Sequence, residues 1–168
     1  MRCLPAHPFT VGKTLAWRSA IDIDPPYQRP ADAWDRRRQQ RFIDSLLNGF
    51  DVPKFYLHDV RGGPRPTIAY AVVDGKQRLT AIWSYLTDGF GLADDFVSTS
   101  CPPGAESAPR PTPGMRCSEL APAWRTALRQ TYLSVVLIQD ATLDEIEELF
   151  ARLNSGVPLS PEYAGARR

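Results

Sequence analysis

The sequence predicts a mixed α/β domain, with helices packed between the strands of one sheet. Three observations carry this. Thr67 to Val73 is a β-branched run broken only by small residues and Tyr70, and it runs into Asp74-Gly75. The next residues change period, with Leu79, Ile82, Trp83 and Leu86 at helical spacing. Further along, the near-continuous apolar run Tyr132 to Ile138 reads as a buried strand, followed by a helical stripe of Leu143, Ile146, Leu149, Phe150 and Leu153.

The elements follow in order. Thr14 to Ala20 is expected as a short helix and Ile21 to Ile23 as a short strand. Pro25 and Pro26 then impose an extended path through Tyr27-Gln28-Arg29-Pro30, because the residue before a proline avoids the helical region. Asp32 or Asp35 can cap a helix running to Asn48, with Phe42, Ile43, Leu46, Leu47 and Phe50 at helical intervals and Gly49 as its stop. Lys54 to Val60 reads as a strand, and Arg61-Gly62-Gly63-Pro64-Arg65-Pro66 as the turn to the strand Thr67 to Asp74. A helix is expected over Gly75 to Thr87 and another over Ser118 to Gln130. Thr142-Leu143-Asp144-Glu145 has a capping-box pattern, with the carboxylate three residues after the threonine. Asn154-Ser155-Gly156 closes that last helix. Strand order is not legible at this stage, although the short turn argues that not every pair is parallel.

At 168 residues, 43% apolar and 23% charged, the chain fits one soluble domain with a core of its own. The formal charge of +1 argues neither for nor against a nucleic-acid partner. No run reaches the ~18 apolar residues of a membrane span, and residues 1–8 lack the apolar stretch of a signal peptide. Cys3, Cys101 and Cys117 have no metal-ligand spacing, and with His7 and His58 the only histidines a zinc site is not expected. A reducing cytoplasm is the expected location. Ser98 to Gly114 holds five of the sixteen prolines, and a loop of that length is either functional or mobile.

The chemistry concentrates at Asp74-Gly75-Lys76-Gln77-Arg78. A strand, a glycine turn and a helix start bring unpaired backbone N–H groups and the positive helix end to one point, where phosphates bind. Lys76 and Arg78 add cationic donors there, Gln77 an amide and Asp74 a carboxylate able to hold a metal or a water. The other reading of the same residues is a tight turn in which Asp74 and Arg78 form an internal ion pair.

The motifs resemble those of the N-terminal domain of GmrSD-type proteins. Asp74-Gly75-Lys76-Gln77-Arg78-Leu79-Thr80 resembles the family's D-G-Q-Q-R-L-T. Pro26-Tyr27-Gln28-Arg29 resembles its P-x-Y-Q-R, and Trp34-Asp35 the W-D that follows. Phe42 to Gly49, with Pro53 to Leu57, looks like its helix and P-x-x-x-L segment. Leu149 to Gly156 resembles its F-x-R-x-N-x-G element, and Leu159 to Glu162 its closing L-x-x-x-E. Four elements in order cover roughly residues 10 to 165. The departure is Lys76, where the family commonly has glutamine.

These are bacterial modification-dependent restriction and phage-defence proteins, and the domain is related to the ParB/sulfiredoxin fold. The resemblance implies a single domain over 1–168 that binds a nucleoside triphosphate and hydrolyses it with magnesium, gating a nuclease. Asp74, Gln77 and Arg78 are the expected catalytic residues. Tyr27, Gln28, Arg29, Gly75, Lys76, Thr80, Arg152 and Asn154 are expected to bind nucleotide, and Asp74 with Asn154 to hold the metal. The family's nuclease resides in a separate C-terminal HNH-type domain, and neither His7 nor His58 has such a setting, so cutting is not expected from this chain alone.

For several of these residues a plainer role stands beside the functional one: a cap for Asn154, a pair with Glu148 for Arg152, a loop-holding pair for Arg29. Arg36, Arg37, Arg38 and Arg41 form a basic helix face, which is either a DNA contact or a solvated surface. The alternatives to the nucleotide module are a non-catalytic DNA-binding module using the same turn, and a recruiting subunit with a vestigial pocket.

Overall fold

The computed structural model describes residues 1–5, 9–28 and 33–154, the last without its side chain. Among these residues, five strands form one sheet in the order β1-β5-β3-β4-β2: β1 Arg2–Pro5, β2 Ile21–Asp22, β3 Phe55–Asp59, β4 Tyr70–Asp74 and β5 Val135–Gln139. The pairings alternate: β1/β5 and β3/β4 are antiparallel, while β5/β3 and β4/β2 are parallel. The mixed α/β class and the mixed pairing are those expected.

Among the described residues the α-helices are α1 Val11–Ala16, α2 Arg36–Leu47, α3 Lys76–Leu86, α4 Pro122–Gln130 and α5 Leu143–Asn154. Alternation along the strands assigns them to two layers. Phe55, Leu57, Val72 and Val135 point into the larger core with Val11 of α1, Ile43 and Leu47 of α2, Ile82 and Tyr85 of α3, and Trp124 and Leu128 of α4. Val73 and Ile138, from the opposite face, pack with Ile146 and Leu149 of α5. Val72, Val73, Ile82 and Ile138 have no exposure, so both faces of the central strands are dry.

Local chemistry sets the boundaries. Asp35 caps α2 by accepting from the Arg38 N–H at 2.7 Å. At the other end Gly49 takes φ +73, Phe50 N–H donates to the Ser45 carbonyl and Gly49 N–H to that of Leu46, which is a Schellman closure. The capping box of α5 is present in both directions, Thr142 N–H to Glu145 at 2.9 Å and Glu145 N–H to Thr142 Oγ1 at 3.3 Å. Those Thr142 contacts hold the Glu145 carboxyl below its ordinary pKa.

Several elements differ from the expected spans. Thr10 caps the first helix through the Lys13 N–H, so α1 begins earlier, and Arg18–Ala20 is a separate 3-10 turn. A 3-10 turn at Cys117–Glu119 precedes α4, whose start is set by Pro122. Residues 67–69 and 132–134 precede their strands rather than belonging to them. Arg2–Pro5 is a strand that no periodicity announced. The proline-rich segment 98–114 carries no helix or strand but is tied down. Asn48 accepts from Thr99 N–H at 2.7 Å and donates to the Val97 carbonyl, while Arg110 donates to the carbonyls of Ser98 and Ser100.

Candidate functional site

The β4–α3 junction is the point where the chain leaves the middle of the sheet. Gly75 takes φ +107, a left-handed conformation that a side chain resists, and a Cβ there would meet Phe55 Cδ1 at 2.5 Å. Gly75 is the N-cap of α3, and no side chain caps the helix. The first turn therefore presents its N–H groups without a side-chain acceptor, beside the positive end of an 11-residue helix.

Arg78 is buried, 7% exposed, and its donors are directed inward. Its Nη2 donates to Asp74 Oδ2 at 2.6 Å, and its Nη1 to the carbonyls of Pro53 and Lys54, the latter at 3.0 Å. The guanidinium lies 4.8 Å from the centroid of the Phe55 ring. The ring under Gly75 thus also carries the arginine. Of the two readings open at Asp74 and Arg78, the geometry displays the internal ion pair, with both terminal nitrogens occupied by the protein.

Lys76 is paired with Asp24, an exposed carboxylate on the segment after β2. The Gln77 side-chain oxygen accepts from the Trp34 N–H at 3.2 Å, which aims its amide by fixing the other end. Gln28 donates to the carbonyls of Val72 and Val73 at 2.9 and 3.3 Å, tying its segment to β4 just before the turn. Tyr27 packs against the α5-side cluster, and its enclosed hydroxyl has no hydrogen-bond partner among the described residues. Burial, then the Asp22 charge, pushes that phenol up from its ordinary pKa. Tyr56, in register with Asp74 across β3/β4, is also pushed up, by burial first and by the Asp74 carboxylate second.

The structure therefore gathers Gln28, Asp74, Gly75, Lys76, Gln77 and Arg78 around one turn. Thr80 lies one turn along α3, where its hydroxyl donates to the Lys76 carbonyl at 3.0 Å. Arg152 stands on α5 and donates to Glu148 at 2.7 Å, the pair weighed against its phosphate role. Arg29 and the Asn154 side chain lie outside the described residues. Asp24, Trp34 and the Pro53 and Lys54 carbonyls complete the turn without having been expected there. The last two are main-chain acceptors and leave no mark in residue identity.

On α2, Arg37 makes a two-point pair with Asp95, Arg36 donates to Gln39 and lies 4.6 Å from the Phe90 centroid, and Arg38 lies 5.8 Å from that of Trp34. Arg41 is exposed. Among the described residues no three histidine, cysteine or acidic side chains gather as a metal cluster, and no helix is long and apolar enough to cross a membrane.

No curated protein matches the chain. A family profile does match it: the GmrSD restriction endonuclease, N-terminal domain, over residues 14–162. That span runs from within α1 through α5 and contains the whole β4–α3 junction, and the chain belongs to the GmrSD N-terminal domain family of restriction and phage-defence proteins.

Proposed function

We propose that this domain is a nucleotide-responsive module that binds a nucleoside triphosphate at the β4–α3 turn and gates a nuclease carried elsewhere. The observation that supports it best is the uncapped start of α3 behind a left-handed glycine, with a lysine at the first helical position. In this reading the phosphates take the first-turn N–H groups, and Lys76 exchanges its surface pair with Asp24 for a phosphate oxygen. Such an exposed pair is worth at most about 1 kcal/mol, so the exchange is cheap.

Arg78 then acts as a positioning residue. It holds Asp74 and the Pro53–Lys54 main chain in place rather than gripping phosphate. Asp74 is one carboxylate, which suits magnesium, an ion that takes one or two carboxylates together with phosphate oxygens and waters. Bound there, magnesium would neutralise phosphate charge. Gln77, held through its oxygen by Trp34, keeps an amide N–H pair to orient a water, and hydrolysis follows from that placement. Binding would order the neighbouring segment that carries Asp24 and Gln28, the kind of change that a partner nuclease can sense.

A second reading is favoured by one observation: with Arg78 satisfied internally and Lys76 paired to Asp24, the turn is complete without a ligand. A recruiting subunit with a vestigial pocket would look the same. The DNA-binding alternative, which uses the same turn together with the basic face of α2, draws less support, since Arg37 is neutralised by Asp95. Calorimetric titration of the four ribonucleoside triphosphates with magnesium into wild type and Lys76→Ala separates these readings. Saturable binding, weakened about tenfold by the substitution, supports the nucleotide module. No heat with any nucleotide moves the function to recruitment.

A further inference from the structure

The segment 22–28 leads from β2 to the flank of the β4–α3 turn, and it is held at both ends. At one end Asp22 lies in the parallel ladder with β4, opposite Ala71, and its carboxylate pairs with Arg65. At the other end the Gln28 side chain donates to the Val72 and Val73 carbonyls, and the Gln28 N–H to the Pro25 carbonyl at 2.9 Å. Between these anchors Asp24 is ion-paired with Lys76, the first residue of α3.

Asp24 is held there by its own main chain. Its N–H donates to Asp22 Oδ1 at 3.0 Å, so the carboxylate is presented to Lys76 from a fixed turn rather than from a free loop. The Asp24 side chain is 69% exposed and that of Lys76 only 25%. The carboxylate therefore sits on the solvent side of the lysine, where an incoming phosphate has to approach.

The segment also moves as a unit. Pro25 and Pro26 fix two φ angles between Asp24 and Tyr27 and restrict the residue before each, so a displacement of Asp24 is carried to Tyr27. Tyr27 carries a defect in the observed position, because its enclosed hydroxyl has no hydrogen-bond partner among the described residues. An enclosed donor without an acceptor is costly, so a shift that brings this hydroxyl to water is favoured.

We propose that residues 22–28 form an autoinhibitory strap, in which Asp24 competes with a nucleoside triphosphate for Lys76. The inference rests on the triphosphate reading of the β4–α3 turn and adds the regulation of that site. Phosphate displaces the carboxylate, Lys76 changes acceptor, and the strap settles in a second position in which the Tyr27 hydroxyl is hydrated. The observed affinity is then the intrinsic one reduced by the fraction of molecules with the strap released.

The test is calorimetric titration of the four ribonucleoside triphosphates, with magnesium, into the full chain at low ionic strength. Wild type, Asp24→Asn, Lys76→Gln, the double variant and Tyr27→Phe are compared after thermal melting has established that each is folded. Asp24→Asn is expected to bind about two- to fivefold more tightly than wild type, the range set by one exposed pair. That gain should vanish in the Lys76→Gln background. Tyr27→Phe keeps the ring and removes the unpaired hydroxyl, which stabilises the closed strap, so it should bind about two- to threefold more weakly. It tests the strap even if Lys76→Gln does not fold. With wild-type binding intact, three results overturn the strap and leave the triphosphate reading standing. They are no gain in Asp24→Asn, a gain that persists beside Lys76→Gln and so reflects charge in general, and undiminished binding by Tyr27→Phe. No binding by any of these chains, Asp24→Asn included, overturns the triphosphate reading and the strap with it.

Discussion

Arg78 and Asp74 face each other at 2.6 Å across the single turn that converts β4 into α3. The same guanidinium reaches the carbonyls of Pro53 and Lys54 at the entry to β3. One side chain thus fastens the start of one strand to the end of its neighbour, directly under the turn that supports the functional proposal. Arg78→Ala would leave a carboxylate and two carbonyls without their donor, so a loss of about 2–4 kcal/mol is expected in chemical denaturation. Arg78→Lys should recover little of it, because an ammonium lacks the planar fork that serves acceptors on two sides. Recovery to within a few tenths of wild type would show that charge alone matters.

Gly75 and Phe55 form the second constraint on the turn. Gly75→Ala combines a left-handed φ with a Cβ placed 2.5 Å from the Phe55 ring, and a cost of about 2–3 kcal/mol is expected. Adding Phe55→Leu should relieve the steric part and leave the conformational part. A double-mutant cycle in urea reads this directly, with non-additive losses expected. Strict additivity would mean that the ring yields without cost.

Asn48 joins the end of α2 to the proline-rich loop through Val97, Thr99 and Ser100. Asn48→Ala should speed amide hydrogen exchange at Thr99 while leaving β4 protected, with a stability loss of about 1–3 kcal/mol. Uniformly faster exchange over the whole domain would instead make the loop part of the global folding unit.

Asp59 introduces a pH dependence. Hydrogen bonds from Arg61, then from Gln139, bring its pKa down to about 2 from an ordinary value of 3.8. A depressed folded-state pKa contributes stability above the unfolded value, and that contribution is lost as the pH falls from about 4 to about 2. Arg61 is exposed, so screening limits the contribution to about 1 kcal/mol. Asp59→Asn should flatten the acid limb of the stability–pH curve over that window and leave its slope near pH 6 unchanged.

The sequence made the most of the fold legible where a local rule and the tertiary packing agree. The Asp35 cap, the Gly49 stop, the Thr142–Glu145 box and the β4–Gly75–α3 junction are set by residues within a turn of one another. It failed where pairing at long range decides. Arg2–Pro5 becomes a strand by lying against β5, and its own residues carry no alternation. The span 67–69 reads as strand by composition, yet the ladder with β3 begins at Tyr70. At the site, the Asp74–Arg78 pair was legible from its spacing, but the other two acceptors of Arg78 are main-chain carbonyls and the partner of Lys76 is a loop aspartate some fifty residues earlier, so residue spacing could not reveal those.

The most direct measurement is backbone amide NMR of the ¹⁵N-labelled chain titrated with magnesium nucleoside triphosphate. Binding at the uncapped helix start predicts the largest shifts at the Lys76, Gln77 and Arg78 amides, saturating together, with smaller ones at Asp24 as its pair with Lys76 opens. Shifts centred elsewhere, or none at millimolar nucleotide, would contradict the assignment of the β4–α3 turn as a phosphate site.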